Sequence, residues 1–189
     1  ANTLGGGVHN SSVIPDELQV RNTIVGNNTA ATDPDITGSQ IISAGHNLVG
    51  DIGSVTTIVD GVNGDLAGAA GSELDPMVFV LAHNGGPTLT HALQFGSPAR
   101  DAGDNVNPEG SDQRGFARIF DGDGDGTATI DIGSVESGFV VNSFLDTTDV
   151  NPGDGVSADL DGNSSFRAAV MEANARPGSD TIILPPGTF

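Results

Sequence analysis

The sequence of 189 residues contains no cysteine and no lysine. Without cysteine the chain cannot form a disulfide, a thiolate metal site or a cysteine nucleophile. Without lysine it has neither a Schiff-base amine nor the phosphate-binding lysine of a P-loop. No apolar run approaches the roughly 20 residues of a membrane span. These absences exclude several classes of catalytic site and predict that the chain does not insert into a membrane.

Basic residues are also scarce, since six arginines stand against 25 acidic residues and the formal net charge is -19. Such a charge repels nucleic-acid phosphates and anionic lipid surfaces, so a nucleic-acid partner is excluded. Tryptophan and tyrosine are absent, whereas 20 residues are aspartate, 28 are glycine and 10 are proline. Aspartate, glycine and proline favour turns. The composition predicts a mainly β chain with many tight corners.

A short repeat lies in the first third of the chain. Residues 22–27 (NTIVGN) align with residues 46–51 (HNLVGD), which places Ile24 over Leu48 with a period of 24 residues. A brief apolar strand that recurs at this period is typical of one coil of a parallel β-helix. Residues 55–59 (VTTIV) are predicted to be a third strand. The alternative is an ordinary sandwich of short strands.

A second set of motifs follows from residue 75 onwards. In order, they are 84–88 (NGGPT), 91–93 (HAL), 96–99 (GSPA), 101–103 (DAG), 112–116 (DQRGF) and 131–133 (DIG) with Glu136. This series resembles the choice-of-anchor Q domain of bacterial surface proteins. The resemblance implies a segment that closes the C-terminal end of a right-handed parallel β-helix.

A third set of motifs resembles the CSLREA element, which starts the same kind of β-helix at its N-terminal end. The motifs are 139–143 (FVVNS), 149–155 (DVNPGDG), 163–170 (NSSFRAAV), 171–175 (MEANA) and 180–189 (DTIILPPGTF). Ser164, Ala168 and Ser157 replace a Cys, a Glu and a second Cys of that family, so a disulfide of its relatives is impossible here. The two resemblances cover most of residues 75–189. They predict coils and a closing segment in 1–138 and a capping element in 139–189.

The residues themselves predict a helix near 164–175 within the capping element. Ser164 or Ser165 can cap its N-terminus. Phe166, Ala169, Val170 and Ala173 recur at helical spacing and form one apolar stripe. Such a helix can cover the open end of a solenoid, and the alternative is a plain helix packed on a sheet. The predicted fold is therefore mainly β, a right-handed parallel β-helix segment with one short capping α-helix.

The order of these elements is circularly permuted, because the closing segment precedes the cap. Joining residues 180–189 of one copy to residues 1–9 of the next would regenerate an uninterrupted β-helix. This order predicts either a repeating unit of a giant protein or subunits that stack head to tail through a non-closing interface. The alternative is an arbitrary piece that spans two neighbouring domains. The predicted assembly interface comprises Ile182, Ile183, Leu184 and Phe189 on one side and Leu4, Val8, Val20 and Ile24 on the other.

Residues 121–126 (DGDGDG) match the first half of a calcium loop, in which alternate carboxylates face one ion. Ile132 occupies the position of the closing glutamate, so Asp131, Glu136 or a remote residue would have to complete the site. The alternative is a solvated acidic turn. The predicted calcium ligands are Asp121, Asp123, Asp125, Thr127, Asp131 and Glu136. A second, weaker cluster comprises Asp154, Asp159, Asp161 and Asn163.

The sequence gives no specific sign of catalysis. With 20 aspartates, a close carboxylate pair is expected by chance. For Arg114 and Arg118, a salt bridge to Asp101, Asp104 or Asp112 is the simplest role. His46, His83 and His91 lie in turn-like contexts and are interpreted as structural hydrogen-bonding residues. The chain is therefore expected not to be an enzyme.

Together these features predict a secreted bacterial structural protein at the cell surface or in the extracellular space. It would be the repeating unit of a head-to-tail β-helix fibre or of a giant extracellular protein, stabilised by calcium, with copies of itself as partners. One alternative is a surface adhesin that binds a glycan or a host surface. A less favoured alternative is a polysaccharide-degrading β-helix enzyme.

Overall fold

The computed structural model describes residues 6–11, 17–82, 84, 86–94, 96–108, 110–116, 118–119, 127–153, 157–175, 180 and 182–184. The described residues form short strands and one short helix. The elements are β1 (Val8–Asn10), β2 (Leu18–Val20), β3 (Ile24–Val25), β4 (Ile36–Gly38), β5 (Ile41–Ser43), β6 (Leu48–Val49), β7 (Leu66–Ala67), β8 (Phe139–Val140), α1 (Phe166–Ala175) and β9 (Ile182–Ile183).

The chain divides into two compact units. Unit 1 contains residues 1–76 and 102–106, and unit 2 contains residues 77–101 and 107–189. The family-based boundary after residue 138 stays a prediction, because it separates sequence elements rather than packed units. Within the described ranges, no helix has the length and apolar character needed to cross a membrane.

Unit 1 contains three small parallel sheets. The three strands β1, β2 and β3 pair in the same order with β4, β5 and β6, and β6 also pairs with β7. Val8 lies opposite Ile36, Leu18 opposite Ile41 and Ile24 opposite Leu48. Each later strand therefore lies beside the strand that occupies the equivalent place in the preceding stretch of chain.

The 24-residue repeat correctly predicts the register of the third sheet. Ile24 pairs with Leu48 and Val25 with Val49, as the alignment of the two hexapeptides requires. The prediction of a strand at 55–59 was wrong, because β7 is the next strand of that sheet. Val55 and Ile58 are buried while Val59 is 48 % exposed. A three-residue spacing of inward side chains suits a turn, whereas a strand alternates every second residue.

The core of unit 1 is aliphatic. Six buried side chains pack together, and each is at most 8 % exposed: Val20, Ile36, Ile41, Val49, Val55 and Ile58. Val8, Ile52 and Ala67 pack against them from partly buried positions. Residues from strands and from the connecting segment thus share one apolar interior, and its burial is the main stabilising term for this unit.

Gly50, the glycine of the second repeat, is required by a close approach. A Cβ atom at this position would lie 2.4 Å from Oδ2 of Asp35, well inside contact distance. The same Asp35 oxygen accepts a hydrogen bond from the Asp51 backbone N–H at 2.8 Å. The missing side chain therefore lets a buried carboxylate reach the backbone of the neighbouring segment.

Unit 2 contains the helix and a two-stranded parallel sheet. Phe139 of β8 lies opposite Ile182 of β9, and the buried Phe139, Val141 and Ala169 form a small core with α1. Ser165 caps the helix, since its Oγ accepts the Ala168 N–H at 3.0 Å. The predicted helix and its serine cap are confirmed.

The predicted apolar stripe of the helix is only partly right. Ala169 is fully buried and Ala173 is partly buried, but Phe166 is 44 % exposed. The buried face instead includes Ala168 and Glu172, both with no exposed surface. Small alanines let the helix approach the sheet closely, which leaves the larger Phe166 at the side of the contact.

Candidate functional site

The three first strands of unit 1 present one open edge each. Within the described residues, β1, β2 and β3 pair on one side only. In a parallel ladder the N–H and C=O of one residue point to the same side, and successive residues alternate. Val8 N–H bonds Asp35 C=O at 2.7 Å and Leu18 N–H bonds Gln40 C=O at 2.8 Å, both towards the paired strand.

This alternation directs other backbone groups away from the paired strands. His9 in β1 and Gln19 in β2 are the intervening residues, so their N–H and C=O groups face the open edge. In β3, the C=O groups of Thr23 and Val25 accept hydrogen bonds from the N–H groups of Leu48 and Gly50. The backbone N–H and C=O of Ile24, between them, therefore face the open edge of the sheet. These open rungs can pair with a further strand by ordinary ladder hydrogen bonds.

A further open edge lies in unit 2. Strand β9 pairs with β8, and no other described strand lies on its second side. Ile182 is partly buried against the small core, and Leu184 immediately after the strand is 47 % exposed. Unit 2 therefore also presents a strand whose outer side is available for pairing.

The residues of the predicted assembly interface occupy different environments. Val20 is buried in the core of unit 1, and Val8 packs against that core. Ile24 is partly exposed at the edge. Ile183 is in β9, but its side chain is outside the described set, as are Leu4 and Phe189. The interface stays a prediction, in which backbone groups rather than Val20 would make the contact.

The predicted calcium loop falls largely outside the described residues, because Asp121, Asp123 and Asp125 are not among them. Thr127 is described and exposed. No group of three or more His, Cys, Asp or Glu side chains suited to a metal occurs within the described part of the chain. Calcium binding by this loop stays a prediction.

Asp131 and Glu136, the other two predicted ligands, lie in a buried network. Asp131 is 1 % exposed, and its carboxylate accepts bonds from Asp101 N–H at 2.8 Å and from both the N–H and the hydroxyl of Ser137. Glu136, also 1 % exposed, accepts Arg118 Nε at 2.9 Å and Asp131 N–H at 3.1 Å. Protein donors therefore occupy the oxygens of both carboxylates.

Burial shifts the protonation of this pair. Desolvation, reinforced by the nearby Asp131 charge, raises the pKa of Glu136 to about 8 despite the bonds from Asp131 N–H and Arg118. Desolvation also raises the pKa of Asp131, although the Ser137 donors act in the opposite direction. The raised pKa therefore favours the protonated form of Glu136 near neutral pH.

A second arginine stabilises the same region. Arg114 pairs with Asp112 at 2.7 Å, and both side chains are almost fully buried. The Arg114 guanidinium also donates to Glu136 C=O at 2.7 Å. The prediction that Asp112 pairs with an arginine is confirmed for Arg114. The partner expected for Arg118 was wrong, because Arg118 pairs with Glu136, which lies deeper in the fold.

The second acidic cluster forms an ordinary turn in its described part. Asp159 Oδ1 accepts the N–H groups of Asp161 at 3.0 Å and Asn163 at 2.9 Å. The backbone bond from Asn163 is the main cause of the lowered pKa of Asp159. Asp161 is exposed, and Asp154 lies outside the described residues. The turn positions these groups by backbone contacts, which explains the close spacing of the acidic residues.

Sequence reasoning missed a buried network of side-chain hydrogen bonds around Asn47 in unit 1. Asn47 has no exposed surface, and its Nδ2 donates to Asp65 Oδ1 at 2.9 Å and to Val20 C=O at 3.1 Å. Its Oδ1 accepts Thr23 N–H at 3.3 Å. The detectable signal was that Asn47 aligns with Thr23, so each repeat has a polar residue directly before its apolar pair.

The histidine interpretation is confirmed for two residues. His46 Nδ1 lies 2.8 Å from Ala102 C=O, and His91 Nδ1 lies 2.7 Å from Phe79 C=O. His83 is outside the described residues. These rings hold loops in place through backbone carbonyls.

Unit 2 also has an open apolar groove beside the helix, here called the α1 groove. Its volume is about 550 Å³, and its apolar wall consists of Phe144, Leu145, Phe166, Val170 and Met171. Arg167 and Asp146, which also line it, form an exposed ion pair with Nε to Oδ1 at 2.6 Å. Phe144 and Leu145 are 60 % and 65 % exposed.

Comparisons of the chain with protein-family models, with curated proteins and with solved structures give no match. The resemblance to the choice-of-anchor Q and CSLREA elements therefore stays a prediction from the motifs. The described arrangement itself offers open strand edges, buried carboxylate–arginine pairs and one apolar groove.

Proposed function

We propose that the chain is a structural unit of an extracellular bacterial fibre. In this proposal unit 1 is a short right-handed parallel β-helix, with β1–β3 as one coil and β4–β6 as the next. The supporting observation is the set of open rungs at His9, Gln19 and Ile24, whose backbone groups point away from the coil that follows.

The proposed partner is a second copy of the same chain. The outer side of β9 in one copy would lie against the open coil edge of the next, so that the parallel ladder continues across the contact. Such an interface is heterologous, and it generates an open fibre rather than a closed ring. The backbone supplies the hydrogen bonds, and the inward aliphatic side chains of each coil supply the apolar contact.

The decisive experiment replaces Gln19 by proline. Its N–H faces the open edge, so Gln19→Pro removes an assembly donor without removing a bond between β2 and β5. Electron microscopy of the purified chain is expected to show filaments that Gln19→Pro abolishes. Gln19→Ala, the matched control, is expected to retain them. Filaments that persist in Gln19→Pro, or discrete particles of the unaltered chain at every concentration, would reject the proposed fibre.

Calcium is proposed to bind the acidic segment 121–126, which lies outside the described residues, and to stabilise the chain there. Alternate carboxylates at this spacing suit a hard cation with oxygen ligands. Calorimetric titration of the full chain with calcium should show binding that Asp123→Asn weakens, while Asp60→Asn, outside the acidic segment, leaves it unchanged. A chelator that alters neither the melting temperature nor the filaments would refute a structural role for calcium.

A further inference from the structure

Residues 62–65 of unit 1 form a tight turn around one of the two Asn-Gly dipeptides of the sequence, Asn63–Gly64. The Asp65 N–H donates to the Val62 C=O at 3.0 Å, and φ is positive at both central residues, 54° at Asn63 and 74° at Gly64. The amide nitrogen that follows an asparagine can attack the carbonyl carbon of the asparagine side chain. Glycine hinders this attack least, because it has no Cβ. The turn therefore presents a dipeptide whose own atoms can react with each other.

Both reacting groups of this dipeptide lack hydrogen bonds within the described part of the chain. The Asn63 side chain is exposed and bonds no other described residue, and the Gly64 N–H has no acceptor among those residues. Asn84, in the other Asn-Gly dipeptide, differs because its Nδ2 donates to the Thr90 C=O at 2.8 Å and to Thr90 Oγ1 at 3.1 Å. The Asn84 amide must break both bonds before it can turn towards the backbone, so Asn84 provides an internal standard for the reactivity of Asn63.

The imidazole of His46 packs directly on Gly64. A Cβ atom on Gly64 would lie 2.6 Å from Cε1 and 2.7 Å from each ring nitrogen, so the ring fills the space beside the Gly64 Cα. His46 Nδ1 lies 2.8 Å from the Ala102 C=O. A carbonyl oxygen only accepts hydrogen bonds, so Nδ1 carries the proton, and in the neutral ring Nε2 has a lone pair available. That lone pair lies beside the Cα to which the Gly64 nitrogen is bonded.

We propose that Asn63–Gly64 is a self-modification site in which His46 Nε2 acts as the base. Nε2 takes the proton from the Gly64 nitrogen as that nitrogen attacks Cγ of Asn63, and it returns the proton to the departing Nδ2 group, which leaves as ammonia. The product is a five-membered succinimide ring, which water opens at either carbonyl to give aspartate or isoaspartate. One water is consumed and one ammonia is released, and the reaction is independent of the proposed fibre.

The reaction changes the turn in a definite way. The Asn63 C=O accepts the His46 N–H at 3.0 Å, and this bond ties the turn to the segment that leads into β6. Isoaspartate adds a methylene to the backbone at this point, and either product adds a negative charge between Asp60 and Asp65. Because the chain already has a net charge of -19, we expect the modified unit 1 to be less stable.

Peptide mass spectrometry of the incubated full chain measures the reaction, because each conversion replaces an NH2 group by OH. In the folded chain Asn63 should react about tenfold faster than Asn84. In concentrated urea the two sites should react at similar rates, because neither retains its folded surroundings. A folded-state rate at Asn63 no higher than at Asn84, or an excess that persists in urea, would overturn the proposal.

The His46→Gln variant tests the base itself. Its side-chain amide can still donate to the Ala102 C=O but cannot take up a proton, so the rate at Asn63 should fall about tenfold while the rate at Asn84 stays as it was. An unchanged rate at Asn63 in His46→Gln would overturn the proposal.

Chemical rescue separates a base from a structural support. His46→Ala leaves a ring-sized space beside the turn, so added imidazole should restore the rate at Asn63 and affect Asn84 much less. Protection of the Val8 and Leu18 N–H groups from hydrogen exchange reports that unit 1 remains folded in each variant. A slow reaction in His46→Ala that imidazole does not restore would assign His46 a structural role and would also overturn the proposal.

Discussion

The two units are stabilised by different means. Unit 1 stacks parallel strands whose backbones bond one another, around an aliphatic core in which Ile36 and Ile58 have no exposed surface. Unit 2 depends, around residues 112–137, on two buried arginine–carboxylate pairs, Arg114 with Asp112 and Arg118 with Glu136. Unit 1 repeats a local pattern, whereas unit 2 brings together charges from separate loops.

The aliphatic interior of unit 1 and the buried ion pairs of unit 2 should differ in how well they tolerate substitutions. An aliphatic core accepts substitutions of similar volume at modest cost. A buried charge whose partner is removed cannot be solvated, so the remaining charge is strongly unfavourable. The largest single-residue effects are therefore expected in unit 2, although its described residues contain less regular structure.

Removing a buried guanidinium should have the largest effect. Arg114→Leu leaves Asp112 buried without its partner, and we expect the free energy of unfolding of unit 2 to fall by about 3–5 kcal/mol. Urea unfolding followed by NMR signals of each unit measures this loss. Arg167→Leu, which breaks the exposed pair with Asp146, is the matched control and should change little. A loss at Arg114 no larger than at Arg167 would contradict the contrast.

Truncating the aliphatic core should come next. Ile36→Ala removes a fully buried side chain from unit 1 and should cost about 3 kcal/mol through lost transfer energy and a cavity. The signals of unit 1 should report the loss in the same urea titration. Val62→Ala, 50 % exposed, should be nearly neutral. If Ile36→Ala were equally neutral, the aliphatic interior would not be the source of stability.

The buried carboxyls should make unit 2 sensitive to pH. Because the pKa of folded Glu136 is raised to about 8, the folded state binds more protons than the unfolded state above pH 4.5. The stabilisation is thus complete below about pH 4.5 and is lost as the pH rises towards 8. Between pH 6 and 8 the free energy of unfolding of unit 2 should fall.

The Glu136→Gln variant separates the contribution of Glu136 to this pH dependence from that of the histidines. In Glu136→Gln the group no longer titrates, so the slope between pH 6 and 8 should flatten while the slope of unit 1 stays as it was. Urea midpoints at each pH provide the measurement. An unchanged slope in Glu136→Gln would show that Glu136 is already ionised at neutral pH.

The smallest effect should come from the helix cap. Ser165→Ala removes the acceptor for Ala168 N–H and should cost about 1 kcal/mol. Thermal unfolding monitored by circular dichroism is sufficient for this comparison, and a melting temperature of Ser165→Ala equal to that of the unaltered chain would contradict capping by Ser165.

The sequence allowed more of unit 1 to be predicted than of unit 2. The register of Ile24 with Leu48 follows from two similar hexapeptides, because short strands with the same apolar pattern stack at equivalent positions. The failure at Val55–Val59 arose because β-branched composition alone does not distinguish a strand from a turn that buries every third residue. The helix and its serine cap were predictable, since both are local features.

The ion pairs of unit 2 were harder to predict because their partners are distant in sequence. Arg118 and Glu136 are 18 residues apart, and nothing local distinguishes Glu136 from Asp101 or Asp104 as a partner. The side-chain hydrogen bond between Asn47 and Asp65 was hard to predict for the same reason, because these residues are also 18 positions apart. Such pairings depend on how loops pack, which short-range patterns do not encode.

Amide hydrogen exchange at the open rungs tests the central claim most directly. The N–H groups of His9, Gln19 and Ile24 should exchange fast in dilute protein and become protected as the concentration rises, because stacking pairs them with the next copy. The N–H groups of Val8 and Leu18, already bonded within the chain, should be protected throughout. Exchange at His9, Gln19 and Ile24 that does not vary with concentration would contradict assembly through the strand edges.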